Sequence, residues 1–117
     1  MDPPAIESVL GPDAQQAAEG FKHAGDGVLV RWATEAEEKT AQENCISGLS
    51  CFAVTVEMNG NCSGGIYIEL KLRESDGTVV GMSNERTPAM KKGDRGVFAI
   101  TGAVKAPKAS IGTVSCH

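Results

Sequence analysis

Four cysteines, two histidines and a few acidic residues are the groups in this 117-residue chain whose types could do chemistry. The cysteines are Cys45, Cys51, Cys62 and Cys116. No two stand as C-x-x-C, so the spacing of a zinc knuckle or a dithiol redox motif is absent. An even cysteine count in a small, aromatic-poor chain points to two disulfides and an oxidising compartment. The competing reading is four buried free thiols in a reducing one. His23 falls in an acid- and Ala-rich start, and His117 is the last residue. Neither place promises the packing that holds a general base beside a nucleophile. There is no Gly-x-Ser-x-Gly, phosphate loop or His-x-x-x-His. Glu69 and Glu74 are separated by an odd number, which puts them on opposite faces of a strand. Asp76 precedes Gly77, where an aspartate far more often shapes a turn than holds calcium. Cys116-His117 offers soft-metal ligands only if reduced. The expectation is a non-enzymatic chain with no catalytic residue, metal site or cofactor.

The elements that must carry these residues are read from composition and period. One Trp, one Tyr and three Phe leave the core to Val, Ile, Leu and Ala, and 14 Gly imply many turns. The length fits one domain. Net charge is −4, spread unevenly: residues 1–44 hold nine acids and three bases, residues 45–117 six acids and eight bases. The mildly basic half lacks a stripe of bases with interleaved aromatics, so nucleic acid is not an expected partner. No run approaches the ~20 apolar residues that span a bilayer. Met1-Asp2-Pro3-Pro4 lacks the regions of a signal peptide, and the start reads as a cut boundary with any signal or anchor removed.

Residues 1–26 read as an N-terminal stalk, flexible or partly helical, with Asp13 able to cap and Gly20 able to end a short helix. The domain proper is expected over 27–117. Its first strand is Gly27 to Trp32, and Trp32 is expected to fill the core. Thr34-Glu35-Ala36-Glu37 has the form of a capping box, so 35–43 is a polar helix or a solvated loop. From residue 51 the period becomes two. Phe52, Val54 and Val56 alternate with Ala53, Thr55 and Glu57. Ile66, Ile68, Leu70 and Leu72 alternate with Tyr67, Glu69, Lys71 and Arg73, which describes a strand with one face in the core and one in water. Asp76-Gly77 turns the chain into a hairpin partner at 78–83. A polar loop over 84–95, a strand at 96–101 and a last strand at 110–116 complete an all-β, antiparallel sandwich of about six to seven strands stapled by two disulfides. Following strand direction from one end to the other brings Cys62 level with Cys116 and leaves Cys45 beside Cys51. The expected pairing is therefore 45–51 and 62–116, although four cysteines allow three connectivities.

From Phe52 to Thr101 the chain resembles the FxLYD-type and related immunoglobulin-like domains of bacterial surface proteins. Leu70-Lys71-Leu72-Arg73-Glu74 stands at the motif. Ser75 to Gly81 is similar to its turn and returning strand, and Lys92-Gly93-Asp94-Arg95 with Phe98-Ala99-Ile100 to its closing strand. The resemblance implies an immunoglobulin-like sandwich and an extracytoplasmic accessory or binding module, and it brings no catalytic residues.

Two surfaces are candidates for a partner. Ile46 and Leu49 stand on the short loop between Cys45 and Cys51, where rigid apolar anchors lose little ordering entropy on binding; their ordinary role would be to cap the core. Arg86, Lys91, Lys92 and Arg95 make the 84–95 loop basic, fit for an acidic partner, wall polymer or lipid headgroups, or simply for water. The leading expectation is a cell-surface or secreted binding module, the ectodomain of a membrane- or lipid-anchored bacterial protein, whose partner is a protein or a cell-envelope component. A small secreted inhibitor, for example of a protease, acting through the 45–51 loop is the second.

Overall fold

The computed structural model describes residues 12–41, 50–102 and 104–117. Two antiparallel sheets face each other. The first has the order β1-β2-β3-β6 and the second β5-β4-β7. The strands are β1 (Lys22–Gly25), β2 (Val28–Trp32), β3 (Cys51–Met58), β4 (Ile66–Arg73), β5 (Val79–Arg86), β6 (Arg95–Thr101) and β7 (Lys108–Cys116). Among the described residues there are also two short helices, α1 (Ala14–Ala18) before β1 and α2 (Glu35–Ala41) between β2 and β3.

The period-two run forms β4 at the centre of its sheet. Ile66, Ile68, Leu70 and Leu72 are all fully buried, while Lys71 between them is exposed and Glu69 and Arg73 are half-buried. Across the core stand Val28, Val30, Val54, Val56, Met58 and Ile100. The β4–β5 hairpin turns where expected. Gly77 adopts φ +96°, and Asp76 accepts the Thr78 N–H at 2.9 Å. β7 runs antiparallel to β4 with Ile66 opposite Cys116. That brings Cys62 to Cys116, and the two are bonded with Cα atoms 5.5 Å apart. None of the described cysteines is a free thiol; Cys45, the partner expected for Cys51, lies outside the described residues.

Three expectations are corrected. The stalk does not extend to residue 26. Residues 1–11 lie outside the description, but α1 is capped by Asp13, Phe21 is buried, and β1 pairs with β2. The reason is that Leu29 and Phe21 bury a second apolar patch on the outer face of the first sheet, away from the main core. Second, the 84–95 loop is shorter than expected. β4 draws Asn84, Glu85 and Arg86 into its ladder opposite Glu69, Ile68 and Tyr67, and Arg95 already opens β6. Third, Trp32 is not core. It ends β2 at the open side of the sandwich, 42% exposed, and leans on Phe52 with ring centres 6.2 Å apart.

The helix alternative holds for Glu35–Ala41. Glu37 accepts the Thr34 N–H at 2.9 Å, and the Thr34 hydroxyl accepts the Glu37 N–H at 3.3 Å, the reciprocal bonds of a capping box. Packing of α2 on the first sheet explains why Thr55, on the polar side of the β3 alternation, is fully buried. Its hydroxyl donates to Glu37 at 2.8 Å.

Candidate binding groove

Four of the six sequence-derived partner-binding candidates, Arg86, Lys91, Lys92 and Arg95, lie among the described residues. Ile46 and Leu49 lie outside the described residues. Lys91 and Lys92 are exposed on a tight turn at the Cys62–Cys116 end. The turn is held by Asp94, which accepts the Lys91 N–H, and by Asn61, which accepts the Lys92 N–H, both at 2.9 Å. Gly93 supplies the positive φ of +94° that the turn requires. Arg86 is exposed at the end of β5. Arg95 does not join them. Its guanidinium pairs with Glu19 at 2.8 Å and with Glu57, and lies over the Phe21 ring at 5.1 Å. Arg31 covers the same ring at 4.4 Å. Arg95 therefore clamps the segment from α1 to β1 onto the sheet. These carboxylates raise its pKa further, and its bond to Glu19 is the leading cause that holds Glu19 below the ordinary carboxylate value.

The histidines stand apart. His23 Nε2 lies 3.3 Å from the Gly27 N–H, within the β1–β2 turn. His117 meets Ser115 at 3.3 Å and the Tyr67 ring edge-on. The His117 backbone N–H donates to the Gly65 carbonyl at 2.9 Å, and among the described residues no carboxylate bonds the His117 ring. Burial and the neighbouring Glu69 carboxylate push the Tyr67 phenol up. Among the described residues no group of three His, Cys, Asp or Glu gathers to hold a metal.

Among the described residues a concave surface lies elsewhere, on the side where β7 faces β1. A groove of about 490 Å³ opens there between the two layers. Its walls are Ala24, Val30 and Trp32 from the first sheet and Ala109, Ile111 and Val114 from the last strand. The register explains why they meet. Val30 and Trp32 share the inner face of β2 with Val28, and Ile111 and Val114 lie opposite Leu70 and Ile68 of β4. Ile111 and Val114 pack on the core yet stay half-exposed, whereas Leu70 and Ile68 are fully buried. Lys22, the pairing partner of Val30, stands at the rim. Arg31 also lines the groove, but its guanidinium is turned to the outer face, donating to Glu37 at 2.8 Å and to the Glu19 carbonyl at 2.7 Å.

Sequence reasoning did not find this groove. The signal present was the apolar spacing of Ala109, Ile111 and Val114, which a register shift at Gly112 and Thr113 breaks from strict alternation. Comparison with protein-family models, with curated proteins and with solved structures returned no match to this chain.

Proposed function

We propose that this chain is a non-enzymatic, extracytoplasmic binding module of immunoglobulin-like type, the ectodomain of an anchored bacterial surface protein, with the β1–β7 groove as its recognition surface. The observation that carries the reading is that groove: apolar walls left half-open to solvent, with the single Trp of the chain on one of them. Soluble domains rarely leave core-facing side chains uncovered unless something else covers them. The pairs β2–β3, β3–β6, β4–β5 and β4–β7 correspond to A–B, B–E, C–C′ and C–F of an immunoglobulin-like sandwich, which supports that assignment. The Cys62–Cys116 bond supports an oxidising compartment. No helix among the described residues is long and apolar enough to cross a membrane. A second disulfide, Cys45–Cys51, belongs to the same proposal.

Site-specific photo-crosslinking in the source cell envelope tests it. A crosslinker replacing Trp32 should give a discrete adduct, and one replacing exposed Lys92 should not. A discrete adduct from Leu49 alone would instead favour the inhibitor-like loop. Adducts from none of the three positions would overturn the groove as the recognition surface.

A further inference from the structure

Among the described residues, three strands of one layer lie over four of the other. β5 faces β6 and β7 faces β1, so the missing fourth strand must leave one side short. The β5 side is closed. Val104 packs against Gly81, and the Ser83 hydroxyl donates to the Thr101 carbonyl. The β7 side is open, and the groove lies in that gap.

β7 runs for nine residues and, among the described strands, pairs only with β4. Alternate residues of an antiparallel strand turn both N–H and C=O toward the same neighbour. About four or five residues of β7 therefore offer unpaired backbone groups to the solvent side. Beside that edge lie the half-exposed Ile111 and Val114, and across the groove lie Ala24, Val30 and Trp32. A polar ladder with an apolar trough next to it matches the chemistry of a β-strand with one apolar face.

We propose that the groove takes an extended peptide strand from a partner, which pairs with the open edge of β7, completes the second sheet and carries a carboxylate toward Lys22. This rests on the groove being the recognition surface. Alternate apolar side chains of the added strand fill the trough. The charge preference follows from the lining, which holds Lys22 and Arg31 and no Asp or Glu; with the Arg31 guanidinium held by Glu37 on the other face, Lys22 is the charge left to answer. A second copy of this chain fits less well, because its β7 already has its apolar side chains in its own core and edge-to-edge pairing would leave the trough unfilled.

The test selects binders from a displayed library of random twelve-residue peptides against the oxidised protein. Trp32, the only Trp, reports occupancy of the groove by its fluorescence. Selected peptides should show apolar residues in period two, an acidic residue and no central Pro, and should shift Trp32 emission to the blue. N-methylating single peptide amides should weaken binding about tenfold at every second position and little at the positions between, because only alternate amides meet β7. Lys22→Glu should weaken acidic peptides about five- to tenfold, while Lys92→Glu leaves them unchanged. Peptides that shift Trp32 but show no alternation in the N-methyl scan overturn strand addition and leave the groove as a binding site. Peptides that bind without perturbing Trp32 emission, and equally to Trp32→Ala, overturn both. A failure to select any peptide, or a dimer in sedimentation that Thr113→Pro abolishes, also overturns strand addition by a partner.

Discussion

Replacing Glu37 by alanine removes the acceptor on which three elements converge. Its carboxylate caps α2 through the Thr34 N–H, accepts a hydrogen bond from the Thr55 hydroxyl of β3, and pairs with Arg31 of β2 at 2.8 Å. The Arg31 and Glu37 side chains are only 12% and 19% exposed, so the pair is not a solvent-screened surface contact. Loss of the cap contact costs about 0.5–1 kcal/mol. The hydroxyl of Thr55, in a fully buried residue, then lacks its acceptor, at about 1–3 kcal/mol. Arg31 keeps the Glu19 carbonyl but loses its counter-charge, and its Nε is already buried without a partner. The three losses share one group and do not add in full, so the expected total is about 3 kcal/mol. Urea denaturation at pH 7 measures it. Thr55→Val in the Glu37→Ala background should recover about 1–2 kcal/mol, because the orphaned hydroxyl is gone. Burial pushes the Glu37 carboxyl up, but the bonds from Thr34, Thr55 and Arg31 outweigh it and leave the group below its ordinary value of 4.5. A carboxylate depressed in the fold contributes stability that is full above the unfolded value and is lost as pH falls through the folded one. The gap between native protein and Glu37→Gln should therefore be widest above about pH 5 and close as the solution is acidified below 4.5. A Glu37→Ala cost under about 0.5 kcal/mol, within the range of an ordinary surface change, would refute the reasoning. So would a Glu37→Gln gap that is the same at low and neutral pH.

Leu70→Ala should destabilise the fold by about 2–5 kcal/mol, as deleting a fully buried side chain does, and Lys71→Ala by under about 0.5, both read from denaturation midpoints. A reversed ranking would mean a strand register shifted by one residue. Changing Cys62 and Cys116 together to alanine opens a loop that spans 54 positions and should cost about 4 kcal/mol on the chain-entropy account. An unchanged denaturation midpoint would show that the bridge constrains the unfolded chain little.

Much of the fold can be read from local pattern. Ile66, Ile68, Leu70 and Leu72 repeat with a period of two because one face of β4 meets the core along its whole length, and side-chain alternation is a property of the strand itself. The hairpin at Asp76-Gly77 and the cap at Thr34 and Glu37 are likewise made by residues a few positions apart. Even the Cys62–Cys116 bridge follows from counting strand reversals. What depended on distant elements stayed hidden. Thr55 is buried because α2 covers the outer face of β3. Arg95 is spent on Glu19 and Phe21 because residues 12–25 fold back as part of the first sheet. Trp32 is half-exposed, and the groove beside it exists, because three strands lie over four and β7 has no second neighbour among the described strands. A residue's own neighbourhood in sequence encodes which face of a strand it occupies. Which element covers that face, and where a layer runs out, is set only when the two sheets are stacked.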